Sequence, residues 1–171
     1  TKLKEFYPQS DWRTMSDMDF IIDPENIPKG GEILTELGYR DFSTYLGELN
    51  AYRPVNINIE LHTEYFVETS EFREVLHDPF DAVDEKGRPE VNALYLYNLL
   101  HIAKHYFDGG CGIRRVLDLY YLNQKYGSIL DRDYIQNALE KVDLVKFAVK
   151  FSDLGNRWFS LEEQPFPEGK M

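Results

Sequence analysis

The chain is poor in cysteine, in positive charge and in long apolar runs. A single cysteine, Cys111, has no intrachain partner for a disulfide and cannot build a cysteine-ligated zinc site, so a reducing, cytoplasmic setting is expected. Against 30 Asp and Glu there are only 19 Lys and Arg, a net charge of -11. General nucleic-acid binding is excluded on that account, because it needs a basic footprint to displace counterions from phosphates. An anionic ligand would have to be met locally, by a metal or a few arginines. No apolar run approaches the roughly 20 residues of a membrane-spanning helix, and the opening "TKLKEFYPQS" has no signal-peptide core. The chain begins without Met, and its natural start is expected upstream.

What is present suffices for a packed globule. The 171 residues are 43% hydrophobic and 15% aromatic, enough for one good core or a small α/β unit with a helical companion. The first half reads as strand, helix, strand. In "RTMSDMDFIID" Asp17 and Asp19 stand at the mouth of an apolar run, Met18, Phe20, Ile21 and Ile22, which reads as a strand destined for the interior. "PENIPKGGEILTELGYRDF" carries a Pro/Gly turn and then a short amphipathic helix with Ile33, Leu34 and Leu37 inward, closed by Gly38. "VNINIELH" alternates strictly, with Val55, Ile57, Ile59 and Leu61 on one face and Asn58, Glu60 and His62 on the other. Residues 63–88 are polar and turn-rich, a connection ending in "DEKGRPE". Beyond it the period turns helical through "PEVNALYLYNLLHIAKHYF" and "GIRRVLDLYYLNQKYG", with a Gly-Gly break between them. Two more helices, at roughly 131–142 and 143–155, and a Pro-rich tail after Leu161 complete the chain. The expected class is α+β, with a mixed sheet and helices in residues 1–88 and an all-helical domain in residues 89–171.

Few side chains in this pattern ask for a partner. On a strand Asp17 and Asp19 project side by side and repel unless a cation lies between them; a divalent metal or Arg13 would serve. Asp23/Glu25 brackets a proline in a turn and is simply solvated, while Asp131/Asp133 reads as a helix start with Asp131 as the cap. Glu60 is a third carboxylate, on the polar face of the second strand beside His62. Three such oxygen donors on adjacent strands suit hard divalent ions; the alternative is a solvated outer face. His101 and His105 are four apart on one helical face, a spacing that can bind zinc but here lacks an evident further ligand. They can equally pack at a helix–helix seam, hydrogen-bonded to Asp118 or Tyr120. Arg114 and Asp118 form an i,i+4 pair that supports its helix by a few tenths of a kcal/mol at most.

The series "YPQSDWRTMSDMDFII", "ELGY", "INIELH" and "HIAKHYFDGGCGIRRVLDLYYL" resembles the uncharacterised nucleotidyltransferase family within the polymerase-β-like nucleotidyltransferase superfamily, over most of residues 3–126. The shared pattern is Tyr-Pro, then Arg, Asp-x-Asp in an apolar strand, Gly-Tyr after a helix, an acidic-Leu-His strand, and His-x-x-x-His followed by Arg and Asp. The resemblance implies Asp17 and Asp19 as metal-binding carboxylates and Glu60 as the third acid, helping to activate an acceptor hydroxyl. It implies Mg²⁺ or Mn²⁺ as cofactor, an NTP as donor and a hydroxyl of a small molecule or protein as acceptor. Arg13, His62, His101, His105, Arg114 and Asp118 become candidate nucleotide-binding residues, with the helical half closing over the nucleotide. The family more often has Asp where Glu60 stands. The Gly-Ser or Lys-Gly element that contacts phosphates roughly ten to fifteen residues before Asp-x-Asp in the superfamily is not found ahead of Asp17 and is expected upstream. The alternative is a catalytically silent module that keeps the fold and binds a nucleotide or a partner in the cleft.

Overall fold

The computed structural model describes residues 2–15, 17–54, 57–66, 70–76 and 90–160. Val55, much of the polar connection and the tail after Leu161 lie outside the described residues. Two short 3₁₀ turns, Lys2–Phe6 and Ser10–Trp12, precede strand β1 (Asp17–Ile21). Helix α1 (Ile27–Glu36) follows, then β2 (Arg40–Tyr45), β3 (Glu48–Arg53) and β4 (Ile57–His62). A single helical turn, α2 (Ser70–Arg73), leads to four helices: α3 (Val91–Gly109), α4 (Ile113–Tyr126), α5 (Arg132–Lys141) and α6 (Val145–Phe159). The class is α+β, a four-stranded mixed sheet with a helical C-terminal region.

Strand order is β1-β4-β3-β2. β1 runs parallel to β4, and the other two pairings are antiparallel. The alternation of β4 divides the sheet's faces: Ile59 and Leu61 are buried with Leu49 and Ala51 of β3, and Leu34 and Tyr39 complete that small core. α1 lies on this face. It comes so close that a Cβ at Gly30 would stand 2.6 Å from Leu61 Cδ1. This contact differs from the expected one: Leu34 is buried, but Ile33 and Leu37 are exposed. The glycine-lined approach at Gly30 and Gly31 turns the stripe Ile27, Gly30, Gly31 and Leu34 to the sheet; Ile33 lies to one side of that stripe, and Leu37 comes after the last helical residue, Glu36. The helix stops at Gly38, whose φ of +87° suits glycine and lets Tyr39 N–H return to the Leu34 carbonyl at 2.9 Å.

β1 also departs from expectation. None of its five residues is buried, and Phe20 is 45% exposed. Among the described residues it pairs with β4 alone, so it is an edge strand rather than an interior one. A second, larger core joins α3 to α6 with Phe66, Phe72 and Leu76, and with Phe6 and Tyr7 from the start of the chain. Glu90 caps α3 by accepting from the amides of Asn92 and Ala93, and Asp131 caps α5 by accepting from that of Tyr134.

Candidate active site

The parallel pairing of β1 with β4 sets Asp17 opposite Asn58, Asp19 opposite Glu60 and Ile21 opposite His62. Side chains at these positions share the face away from the small core. Glu48, at the start of β3, joins the same face, since its neighbour Leu49 pairs with Leu61 on the core side. A cavity of about 260 Å³ opens over this face. Its floor carries Asp17, Asp19, Glu48, Glu60 and His62, and Glu64 stands at its margin. Across it stand Tyr97, His101, Lys104 and His105 of α3 and Arg115 of α4. The α3 residues fall at i, i+4, i+7 and i+8, one stripe of a helix. Acids therefore face cations and imidazoles across one space.

On the floor His62 is the organising side chain. Its Nδ1 lies 2.6 Å from Glu48 Oε1, and its Nε2 lies 3.3 Å from Asp19 Oδ1 and 3.6 Å from Glu60 Oε2. Glu60 Oε1 accepts from Asn58 Nδ2 at 2.8 Å. Burial alone would lower the His62 pKa, but its hydrogen bonds to Asp19, Glu60 and Glu48 outweigh that and raise it to about 10. Asp19 is pulled the other way: burial would raise it, and the His62 contact holds it below the usual carboxylate range. With no other cation on the floor among the described residues, the imidazolium is what lets these carboxylates lie together. The ligand atoms of Asp19, Glu60 and His62 all lie within 4.8 Å of one another. Asp17 lines the cavity from a more exposed position and is not one of those three.

On the opposite wall His105 Nε2 meets His101 Nε2 at 2.7 Å. One nitrogen must donate and the other accept, so at least one of the two rings offers a bare nitrogen there. Burial lowers the His101 pKa to about 3, assisted by Arg115 and His105, and burial likewise lowers that of His105. Rings continue from this pair along the cavity, His101 to Tyr97 at 5.6 Å and Tyr97 to Tyr65 at 5.2 Å between centroids.

The remaining candidates lie elsewhere. Arg13 and Asp118 form a buried two-pronged ion pair, Nε–Oδ1 at 2.7 Å and Nη2–Oδ2 at 3.0 Å, and Tyr7 Oη donates to Asp118 Oδ1 at 2.6 Å. These contacts tie the segment before β1 to α4, and neither residue of the pair lines the cavity. Arg114 is exposed and reaches Thr14 Oγ1 at 3.4 Å, outside the cavity, whereas its neighbour Arg115 lines it. Glu48, Lys104 and Arg115 line the cavity without belonging to any of the sequence motifs. Lys104 carried a usable signal, three residues from His101 and seven from Tyr97. Glu48 had none beyond a short alternation in "ELNAY".

An acidic face of a mixed sheet, set across one cavity from Lys104, Arg115 and two histidines of the helical region, is the arrangement this α+β fold builds. The chain belongs to the family described as uncharacterised nucleotidyltransferase, whose model matches residues 1–160. Membership supports a general nucleotidyltransferase role with an NTP as substrate. No curated protein and no solved structure matches the chain. No helix among the described residues is long and apolar enough to cross a membrane.

Proposed function

We propose that the protein catalyses metal-dependent transfer of a nucleoside monophosphate from an NTP to a hydroxyl of a small molecule or protein. The observation that carries this reading is the Asp19–Glu60 register, which sets two carboxylates side by side beneath a wall bearing Lys104 and Arg115. The donor set fits a divalent ion: carboxylates with one imidazole, at mutual spacings that one ion can span. Bound there, Mg²⁺ or Mn²⁺ would offset phosphate charge and acidify an attacking hydroxyl. Asp19 and Glu60 would hold it, with Asp17 reaching it from its more exposed place at the cavity, and Glu60 would also accept the hydroxyl proton as the acceptor oxygen attacks the α-phosphorus. The bond from that phosphorus to the bridging oxygen breaks, and pyrophosphate leaves with the electron pair. Lys104 and Arg115, on the wall across the cavity, would meet the charge that grows on it, and His101 and His105 would supply one hydrogen-bond donor. Arg13 and Asp118 hold each other, so their part is to keep β1 and α4, hence the two walls, in register.

Labelled-NTP transfer to a panel of hydroxyl acceptors tests the reading. Divalent-dependent labelling that falls at least a hundredfold in Asp19→Asn is expected. Labelling that survives chelation or the substitution unchanged would refute it. One observation favours the second reading, a silent binding module: His62 already bridges Asp19, Glu48 and Glu60 without any metal. That module would bind NTP equally well with and without chelator and label no acceptor.

A further inference from the structure

The two nitrogens of His62 are used differently, and the difference has the form of a metal-binding histidine. Nδ1 is engaged by Glu48 at 2.6 Å, a carboxylate on a different strand. Nε2 points between Asp19 and Glu60, 3.3 and 3.6 Å from their oxygens. Histidines that ligate metals commonly give their second ring N–H to a carboxylate, which fixes the tautomer and the ring's direction. The edge lengths agree as well. Ligand atoms about 2.1 Å from a first-row ion stand roughly 3.0 Å apart at octahedral and 3.4 Å apart at tetrahedral angles. The separations from His62 Nε2 to the two carboxylates are close to those values before any ion is bound.

Resting on the metal-dependent reading above, we propose that His62 Nε2 is a direct ligand of the active-site ion, oriented by Glu48 as a positioning residue, and that this nitrogen selects Mn²⁺ or a later first-row ion over Mg²⁺. The chemistry of the two ions supports the preference. Mg²⁺ demands oxygen donors in a near-ideal octahedron and gives up water reluctantly, whereas imidazole suits the transition ions. When the ion enters, Nε2 gives its proton to solvent and its lone pair turns to the metal. The Nδ1–H contact with Glu48 is retained throughout.

The test is pulsed electron paramagnetic resonance on the full chain loaded with Mn²⁺, using protein labelled with ¹⁵N at histidine. Wild type should give a ¹⁵N coupling to Mn²⁺ of the size of a directly bound imidazole. His62→Gln should lose it, with Mn²⁺ binding weakened at least tenfold and Mg²⁺ binding less than threefold. Glu48→Gln should keep the coupling but narrow the Mn²⁺-over-Mg²⁺ preference by about tenfold, which a merely structural role for Glu48 would leave unchanged. Should His62→Gln fail to fold, the coupling must persist in His101→Asn/His105→Asn. Mn²⁺ bound without ¹⁵N coupling in wild type, or coupling that survives in folded His62→Gln, overturns the proposal while leaving the metal-dependent reading intact. No Mn²⁺ binding by wild type at millimolar concentration overturns both.

Discussion

His62 and His101 face each other across the cavity with pKa values displaced in opposite directions, and that predicts the shape of the protein's pH–stability curve. In metal-free protein the folded His62 pKa is raised from 6.5 to about 10, so its contribution is complete below pH 6.5 and is lost as pH rises through the folded value. Between those limits the folded state holds one proton that the unfolded state has released, a slope of about 1.4 kcal/mol lost per pH unit. Carried over the whole interval this approaches 5 kcal/mol; sharing among three carboxylates and partial exposure of the ring reduce it to roughly 2–4 kcal/mol. His101 has the opposite sign. Its folded pKa is lowered from 6.5 to about 3, so its contribution is complete above pH 6.5 and is lost as pH falls toward the folded value. Stability should therefore peak near neutrality and fall on both sides. Urea unfolding in the presence of chelator, at intervals from pH 4.5 to 10, gives the curve. His62→Gln should flatten the alkaline side by the stated amount, whereas His101→Asn should flatten the acid side and leave the alkaline side unchanged. Parallel wild-type and His62→Gln curves from pH 6.5 to 10 would refute the claim that a proton on His62 binds the floor together.

Three further expectations follow from the same contacts. Removing one member of the buried Arg13–Asp118 pair, as Asp118→Asn or Arg13→Ala, should cost about 3–5 kcal/mol in denaturant unfolding because it strands a buried charge; Arg13→Met/Asp118→Leu should cost less than either. Arg115→Ala should weaken binding of a non-hydrolysable NTP about tenfold, the loss of one charge-assisted contact, and Arg114→Ala should change it less than twofold by calorimetry. His105→Ala should weaken the same binding with little change in melting temperature, whereas His101→Ala, behind it in the wall, should also destabilise the fold by about 1–3 kcal/mol; unchanged NTP affinity in both would remove the pair from the site.

The parts of this site that were legible in the sequence are those whose side-chain period is tied to burial. In β4 Ile59 and Leu61 are core residues, so the phase of Asn58, Glu60 and His62 was fixed by alternation alone. Asp17 and Asp19 shared a face for the same reason. That β1 lies beside β4 depends on a parallel pairing across 35 intervening residues, counted from Ile22 to Asn56 in the sequence. No local pattern encodes that pairing, and the expectation of adjacent strands rests on the shared acidic character of their faces. The β2–β3 hairpin, which delivers Glu48, turns at Leu46 and Gly47 with φ of +47° and +87°. A leucine in that conformation gives none of the Asn-Gly signal by which such turns are recognised. Arg114 and Arg115 fail to separate for a related reason. Successive helical residues differ by about 100° in direction, and which of two arginines faces the cavity depends on how α4 seats against its neighbours. Val116, Asp118, Leu119 and Leu122 are buried and set that phase, but Asp118 is read as core only once Arg13 and Tyr7 are known to meet it.

The arrangement also reconciles an acidic protein with an anionic substrate. A chain of net charge -11 offers a polyphosphate no general attraction, and five carboxylates around one cavity would repel it at short range, where Coulomb energies between unit charges reach a few kcal/mol at intermediate dielectric. Lys104 and Arg115 supply two positive charges on the far wall, fewer than a triphosphate carries. In the proposed reading the shortfall is met by the ion on the floor, so the donor would enter as a metal complex and its free form would be held poorly. His62 is then consistent with either state of the site. Protonated, it keeps Asp19, Glu48 and Glu60 from driving the sheet face apart while the floor is empty; deprotonated, it offers the incoming ion a nitrogen already aimed by Glu48. A proton leaves as a divalent ion enters, so the floor gains one net positive charge where the phosphates would approach.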